Sequence, residues 1–137
     1  MRKIDKIIVH CTATIEGVDW TVDDIRKWHI EQNHWDDIGY HYVIHLDGSI
    51  HKGRDEEVVG AHCYGYNAHS IGVCYVGGLE KGTKRAKDTR TPQQKESLIR
   101  LLMELVCKYP DAEILGHRDL ANRKCPSFDA KEEYKTL

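Results

Sequence analysis

The chain has 137 residues, of which 40% are hydrophobic and 31% charged. This is the size and composition of one folded domain, and it excludes a disordered or low-complexity chain. Twenty basic residues against 22 acidic ones give a formal charge of −2, so no overall positive field exists to attract nucleic acid or an anionic membrane.

The N-terminal segment, residues 1–10, carries basic residues but only a short apolar stretch, and no cleavage site of small residues follows it. A secretory signal needs a longer apolar region, and a membrane helix needs about 18 consecutive apolar residues. We therefore expect cytoplasmic synthesis without a signal peptide and no stable membrane association. The small size and the lack of heptads favour a monomer.

The first half of the chain predicts a strand, a helix and a hairpin. Residues 6–10 form a β-branched run that is apolar on both faces, as in a central strand. A threonine N-cap followed by acidic residues predicts a helix at about 21–33. Aromatic and β-branched residues at 40–46 lead through an Asp-Gly pair, which favours a tight turn, into a second strand at 49–52.

The second half alternates loops with a helix and two strands. The predicted order is a long loop at 54–69, a strand at 71–76, a solvated surface loop at 79–90, a helix from 91 to 109, a strand at 112–115 and a short helix from 129. Thr91, Pro92 and Gln94 supply an N-cap, a first-turn proline and a capping box for the long helix. This order predicts an α/β fold, a single domain over residues 1–137 with a mixed β-sheet flanked by α-helices.

Nine histidines and five cysteines are the chemically informative residues. The cysteines form no CxxC pair, which argues against a disulfide framework and a zinc ribbon. A catalytic zinc ion needs three protein ligands, and His10, His117 and Cys125 could supply them, because both histidines end predicted strands and Cys125 follows in a loop. Spacing alone also allows a thiol enzyme with Cys125 as nucleophile and His117 as base. We expect the other cysteines, Cys11, Cys63, Cys74 and Cys107, to be small buried side chains.

Eight motifs occur in order along nearly the whole chain. They are Val9-His10-Cys11-Thr12-Ala13-Thr14, Ile25-Arg26 with Trp28-His29, Gly39-Tyr40-His41-Tyr42, Asp47-Gly48, Gly53-Arg54-Asp55-Glu56, Gly65-Tyr66-Asn67, Ser70-Ile71-Gly72-Val73-Cys74 with Val76-Gly77-Gly78, and Cys125-Pro126-Ser127-Phe128-Asp129. Together they resemble the type 2 N-acetylmuramoyl-L-alanine amidases, a zinc family that includes the peptidoglycan recognition proteins. Within that family the sequence is most similar to the small lysozymes of T-odd coliphages.

The resemblance implies roles for particular residues. It places the zinc ligands at His10, His117 and Cys125 and puts Tyr40 beside the metal. Arg123 stands where the phage pattern has a lysine; arginine keeps the positive charge but does not exchange a proton near neutral pH. His62 matches a family position near the substrate.

The activity implied by the resemblance is zinc-dependent hydrolysis of the amide between N-acetylmuramic acid and L-alanine in peptidoglycan. A phage or prophage endolysin, which reaches the cell wall after release, fits the expected cytoplasmic synthesis. The alternative is a non-catalytic peptidoglycan-binding module. In such relatives a metal ligand is replaced, whereas here all three ligand positions are filled.

Overall fold

The chain folds around one mixed β-sheet. The computed structural model describes residues 2–137, and the main elements in that range are, in chain order, β1 (Lys6–Cys11), β2 (Thr14–Ile15), α1 (Val22–Asn33), β3 (Tyr42–Ile44), β4 (Ile50–Lys52), β5 (Ser70–Tyr75), β6 (Gly78–Leu79), α2 (Pro92–Lys108), β7 (Glu113–Gly116) and α3 (Ala130–Glu133). Both long helices begin at the predicted threonine caps, each with a complete capping box. Within residues 2–137 no helix has the length and apolar character needed to cross a membrane.

The five-stranded sheet has the order β4-β3-β5-β1-β7. Strand β1 pairs in parallel with β5 on one side and with β7 on the other. Strand β3 also runs parallel to β5, and only β4 is antiparallel to its neighbour. The central position of β1 confirms the prediction drawn from its apolar faces, and the sheet is mixed as expected.

Hydrophobic side chains cover the sheet on both faces. On one face Ile7 and Val9 of β1 pack with the leucine stripe of α2, where Leu98 and Leu102 are fully buried. On the other face a second cluster forms around Ile25 of α1. Because side chains alternate along a strand, His10 points to the α1 side of the sheet while its neighbours Val9 and Cys11 point to the α2 side.

Three local predictions differ from the structure. The strand expected at 40–46 is shorter at its C-terminal end because the turn begins at His45, whose carbonyl oxygen accepts from the Gly48 N–H at 2.9 Å. Strands β2 and β6 form a separate two-stranded parallel sheet, which two-residue segments do not announce in a sequence. Cys107 is exposed rather than buried, since it lies off the apolar stripe of α2.

The surface loop predicted at 79–90 is exposed over most of its length but ends in a buried arginine. The side chain of Arg90 is 2% exposed and forms ion pairs with Asp88 at 2.8 Å and with Glu133 at 2.7 Å. Its guanidinium carbon lies 3.4 Å from the ring centroid of Phe128, a cation–π contact. Arg90 therefore joins the end of this loop to the C-terminal segment.

We predict that Arg90→Met lowers the free energy of unfolding by about 2 kcal/mol. Breaking a fully buried ion pair costs about 3–5 kcal/mol because it leaves a charge without its partner, and we expect less here because the Asp88 and Glu133 side chains keep access to water. Urea unfolding followed by circular dichroism measures the change. Arg85→Met, at an exposed position of the same loop, is the matched control and should shift stability by less than about 0.5 kcal/mol.

The difference in stability between the unmodified protein and Arg90→Met should depend on pH. Burial opposes ionisation of Asp88, but its bonds to Arg90 lower the pKa of that carboxyl, and the hydrogen bond from Arg90 lowers the pKa of Glu133. A carboxyl with a lowered folded-state pKa stabilises the fold above its unfolded pKa and stops doing so as pH falls through the folded value. The stability gap between the two proteins should therefore narrow from about pH 6 to about pH 3. A gap that stays constant over this range would contradict the ion-pair explanation.

Candidate metal centre

The candidate site lies at the carboxyl ends of two adjacent parallel strands. His10 is the last residue but one of β1, and His117 follows β7 directly. Because β1 and β7 are parallel neighbours, both histidines meet at one edge of the sheet, the position where open α/β sheets place their ligands. Cys125 returns to this edge from the following loop, whose path is fixed by the Arg118 N–H donating to the Cys125 carbonyl oxygen at 2.8 Å.

The geometry of the three side chains fits a zinc ion. Nδ1 of His10 lies 3.1 Å from Nδ1 of His117 and 3.8 Å from Sγ of Cys125, and the three candidate ligand atoms all lie within 4.8 Å of one another. Tetrahedral zinc with ordinary bond lengths separates two nitrogens by about 3.3 Å and a nitrogen from a sulfur by about 3.6 Å. Two imidazoles and one thiol are also the donor types that zinc prefers, and three ligands is the number found in catalytic sites.

The surroundings favour the neutral form of both histidines. Burial, reinforced by the nearby His62 and His117, holds the pKa of His10 well below its ordinary value. Burial and the charge of Arg123 also lower the pKa of His117. A neutral imidazole is the form that binds metals.

Cys125 is held in place by Cys11, the residue after His10 in β1. The Cys11 N–H donates to Sγ of Cys125 at 3.1 Å. A hydrogen bond with the Cys11 thiol, together with burial, raises the pKa of Cys125. The protein alone therefore does not favour a Cys125 thiolate, whereas coordination to a divalent cation removes the thiol proton outright.

Tyr40 lies beside His10, as the predicted role requires. The two ring centroids are 5.2 Å apart, and Tyr40 occupies the segment just before β3 rather than the strand itself. Burial raises the pKa of Tyr40 well above its ordinary value, and the thiols of Cys74 and Cys125 act in the same direction. The phenol keeps its proton at neutral pH and can donate a hydrogen bond.

Arg123 is an exposed residue at the rim of the centre. It lines a cavity of about 530 Å³ together with His117 and the aromatic residues Trp35 and Tyr64. Lys124 lines a separate cavity of about 440 Å³, which also contains Arg123. Arg123 therefore stands between the two cavities, and Lys124 faces only one of them.

His62 is 7% exposed, and both of its ring nitrogens lie within hydrogen-bonding distance of a partner. Nδ1 lies 2.8 Å from Nε2 of His10, and Nε2 lies 3.2 Å from Oγ of Ser70. His62 also belongs to the lining of the cavity that contains His117. Sequence reasoning placed it near the substrate but missed its contact with His10, for which a separation of 52 residues gives no signal.

Comparison with known proteins decides the family. The family model described as N-acetylmuramoyl-L-alanine amidase matches residues 1–128. The chain belongs to this family. An endolysin of Escherichia phage T7 is 48% identical over 93% of this chain and 83% of its own length.

Solved structures agree with this amidase assignment. The N-acetylmuramoyl-L-alanine amidase LysC from Clostridium intestinale is 32% identical, with a TM-score of 0.81 over 96% of this chain and 82% of LysC. The bumblebee peptidoglycan recognition protein PGRP-SA is 25% identical, also with a TM-score of 0.81, over 100% of this chain and 83% of its own. These findings confirm the predicted family, its coliphage branch and the mixed α/β fold.

The structure brings all the predicted site residues of the amidase together. His10, His117 and Cys125 form the cluster, Tyr40 and His62 lie against His10, and Arg123 lines the adjoining cavity. Their individual roles in binding metal and substrate stay predictions, which the variants below address.

We predict that Cys125→Ser lowers the zinc content of the purified amidase to well below one equivalent. A serine hydroxyl is a much poorer zinc ligand than a thiolate, and the change is nearly isosteric, so the fold should persist. Elemental analysis of the protein after desalting measures the content. Cys107→Ser, on the exposed face of α2, is the matched control and should retain zinc. Full zinc retention by Cys125→Ser would exclude Cys125 as a ligand.

Proposed function

We propose that residues 1–137 form a single zinc-dependent N-acetylmuramoyl-L-alanine amidase domain that works as a phage or prophage endolysin. It hydrolyses the amide bond between the lactyl group of N-acetylmuramic acid and L-alanine in peptidoglycan. Membership of the amidase family and the endolysin relatives support the reaction. The observation that carries the metal assignment is the convergence of His10, His117 and Cys125 at one edge of the sheet.

The donor set accounts for the chemistry of such a site. Two neutral imidazoles and one thiolate leave a zinc ion with about one net positive charge, enough to polarise an amide carbonyl and lower the pKa of bound water. The chain itself supplies the ligands, their orientation and the walls around them. His62 and Arg123 contribute to the cavity in which the muropeptide lies.

Tyr40 and Arg123 stabilise the negative charge that develops on the carbonyl oxygen during hydrolysis. The raised pKa of Tyr40 keeps its phenol protonated, so that it acts as a hydrogen-bond donor. Arg123 supplies a positive charge at the exposed side of the centre. Because a guanidinium does not lose its proton near neutral pH, Arg123 acts through charge and not as an acid or base.

The alternative thiol mechanism is disfavoured by the protonation behaviour of the groups involved. A nucleophilic cysteine needs a base within hydrogen-bonding reach. Nδ1 of His10 lies 3.8 Å from Sγ of Cys125, but burial holds the pKa of His10 well below its ordinary value, which makes this ring a weak base. The raised pKa of Cys125 also opposes a free thiolate nucleophile. The alternative of a non-catalytic binding module is disfavoured because the three ligand positions are filled and already brought together.

We expect the enzyme to act as a monomer on the cell wall, with no nucleic acid or membrane partner. Its formal charge of −2 supports the absence of a nucleic acid or membrane partner, because a protein that depends on polyanions carries an excess of basic residues. The muropeptide is then the partner that the site recognises.

We predict that His117→Ala abolishes release of peptides with a free L-alanine N-terminus from purified sacculi. Removal of one ligand leaves two, which is too few to hold a catalytic zinc ion. Mass spectrometry of the digest measures both the bond cleaved and the amount released, and the expected loss is at least about 10³-fold. Release at the unmodified rate would overturn the assignment.

The control for this variant is His69→Ala, an exposed histidine outside the centre, which should digest sacculi normally. Treatment of the unmodified enzyme with a chelator should reproduce the loss, and added Zn²⁺ should restore the activity. Full activity after removal of all transition metals would instead support the thiol mechanism.

We predict that Arg123→Lys keeps kcat/KM within about tenfold of the unmodified enzyme, whereas Arg123→Met lowers it by about 100-fold. The reason is that a single donor to a developing oxyanion contributes on this scale, and lysine preserves the charge. A soluble muropeptide substrate and unchanged zinc content are needed to separate charge stabilisation from metal loss. Equal activity of the lysine and methionine variants would exclude a charge-dependent role.

A further inference from the structure

The two ring nitrogens of His10 face different environments. Nδ1 points to the other candidate ligands, His117 and Cys125, at 3.1 and 3.8 Å. Nε2 points away from them to Nδ1 of His62 at 2.8 Å, inside the protein. His10 can bind a metal through Nδ1 only if the proton of the neutral ring is on Nε2.

The hydrogen-bond network assigns the protons from His10 outward. With the lone pair of Nδ1 directed at a metal, Nε2–H of His10 donates to Nδ1 of His62. His62 must then carry its own proton on Nε2, where Oγ of Ser70 accepts it at 3.2 Å. Ser70 is fully buried as the first residue of β5, so the network ends on a rigid strand.

We propose that His62 is a positioning residue that fixes the ring orientation and the proton location of His10 and thereby sets the affinity of the centre for zinc. The proposal rests on the proposed function in one respect, that His10 is a metal ligand. It assigns His62 a role behind the ligand in addition to its place in the cavity lining. Groups that orient a metal-binding histidine typically contribute 10- to 100-fold in metal affinity.

The backbone around His62 is shaped to hold its ring in place. A Cβ atom added at Gly72 would lie 2.6 Å from Cγ of His62, and one added at Gly60 would lie 2.8 Å from its Cδ2. Only glycine therefore leaves room for the ring on these two sides. The backbone N–H groups of His62 and Cys63 both donate to Oδ1 of Asn67 at 2.9 Å, and these bonds fix the backbone of the loop that carries His62.

The first test compares His62→Leu with His62→Asn. Leucine fills the space but cannot accept a hydrogen bond, whereas the amide oxygen of asparagine can take the place of Nδ1 and accept from His10. Competition with a chromophoric chelator measures the zinc dissociation constant. We expect His62→Leu to bind zinc 10- to 100-fold more weakly and His62→Asn to stay within about threefold of the unmodified protein.

A purely structural role of His62 would give a different pattern. It would lower the thermal stability of the metal-free protein in both variants, without a difference in zinc affinity between them. Substitution of cobalt for zinc adds a spectroscopic test, because the visible absorption of cobalt reports ligand geometry. We expect a changed cobalt spectrum in His62→Leu and an unmodified spectrum in His62→Asn.

A second variant, Gly72→Ala, reaches the same ring from the neighbouring strand. The added methyl group must displace the ring of His62, so zinc affinity should fall although Gly72 lies behind His62 and supplies no ligand atom. Ser70→Ala removes the outer partner of His62 and should weaken binding by a smaller factor. Unmodified zinc affinity in His62→Leu would overturn the proposal, whatever Gly72→Ala shows.

His10→Ala separates this inference from the assignment of the metal centre. If His10→Ala retains zinc, then the proposed ligand set itself is wrong. If His10→Ala loses zinc while His62→Leu binds it as tightly as the unmodified protein, then only the positioning role of His62 fails.

Discussion

The candidate metal centre depends on the parallel pairing of β1 with β7. That pairing brings the ends of two strands, separated by more than 100 residues in sequence, to within one hydrogen-bond length, so that the rings of His10 and His117 meet. Both strands are largely buried next to the site, with His10 of β1 1% exposed and Leu115 of β7 4% exposed, and side chains in a close-packed interior have little freedom. The sheet therefore holds two of the three candidate ligands before any metal arrives, which lowers the entropic cost of assembling the site.

Three histidines near the site are buried, and each of them is hydrogen-bonded. His10, His41 and His62 are all buried, yet each has a hydrogen-bonding partner: His10 contacts His62, His62 contacts Ser70, and His41 accepts from Gly72. Among the residues described, 2–137, no buried side-chain nitrogen or oxygen is left without a partner. Burying imidazoles is tolerable only under this condition, because an unpaired polar group in an apolar interior costs about 1–3 kcal/mol.

Much of the architecture was predictable because it follows from local patterns. The capping boxes at Thr21 and Thr91 placed both long helices, and the apolar faces of residues 6–10 placed the central strand. The candidate ligands needed more than periodicity, since many histidine and cysteine triples fit the spacing, and the family resemblance selected one of them. Long-range contacts were out of reach: nothing near Arg90 announces Glu133, and nothing near His62 announces His10.

Cys125 differs from the two histidines in how it is anchored. It lies in the loop between β7 and the C-terminal helix, and Arg90, Phe128 and Glu133 dock the segment that follows it. The same segment contributes Phe128, Ala130 and Tyr134 to the main hydrophobic core, next to β1 and α2. A local opening of this segment would carry one candidate ligand away from the other two while the strands stay paired, so retention of the metal is coupled to the packing of the C-terminal segment.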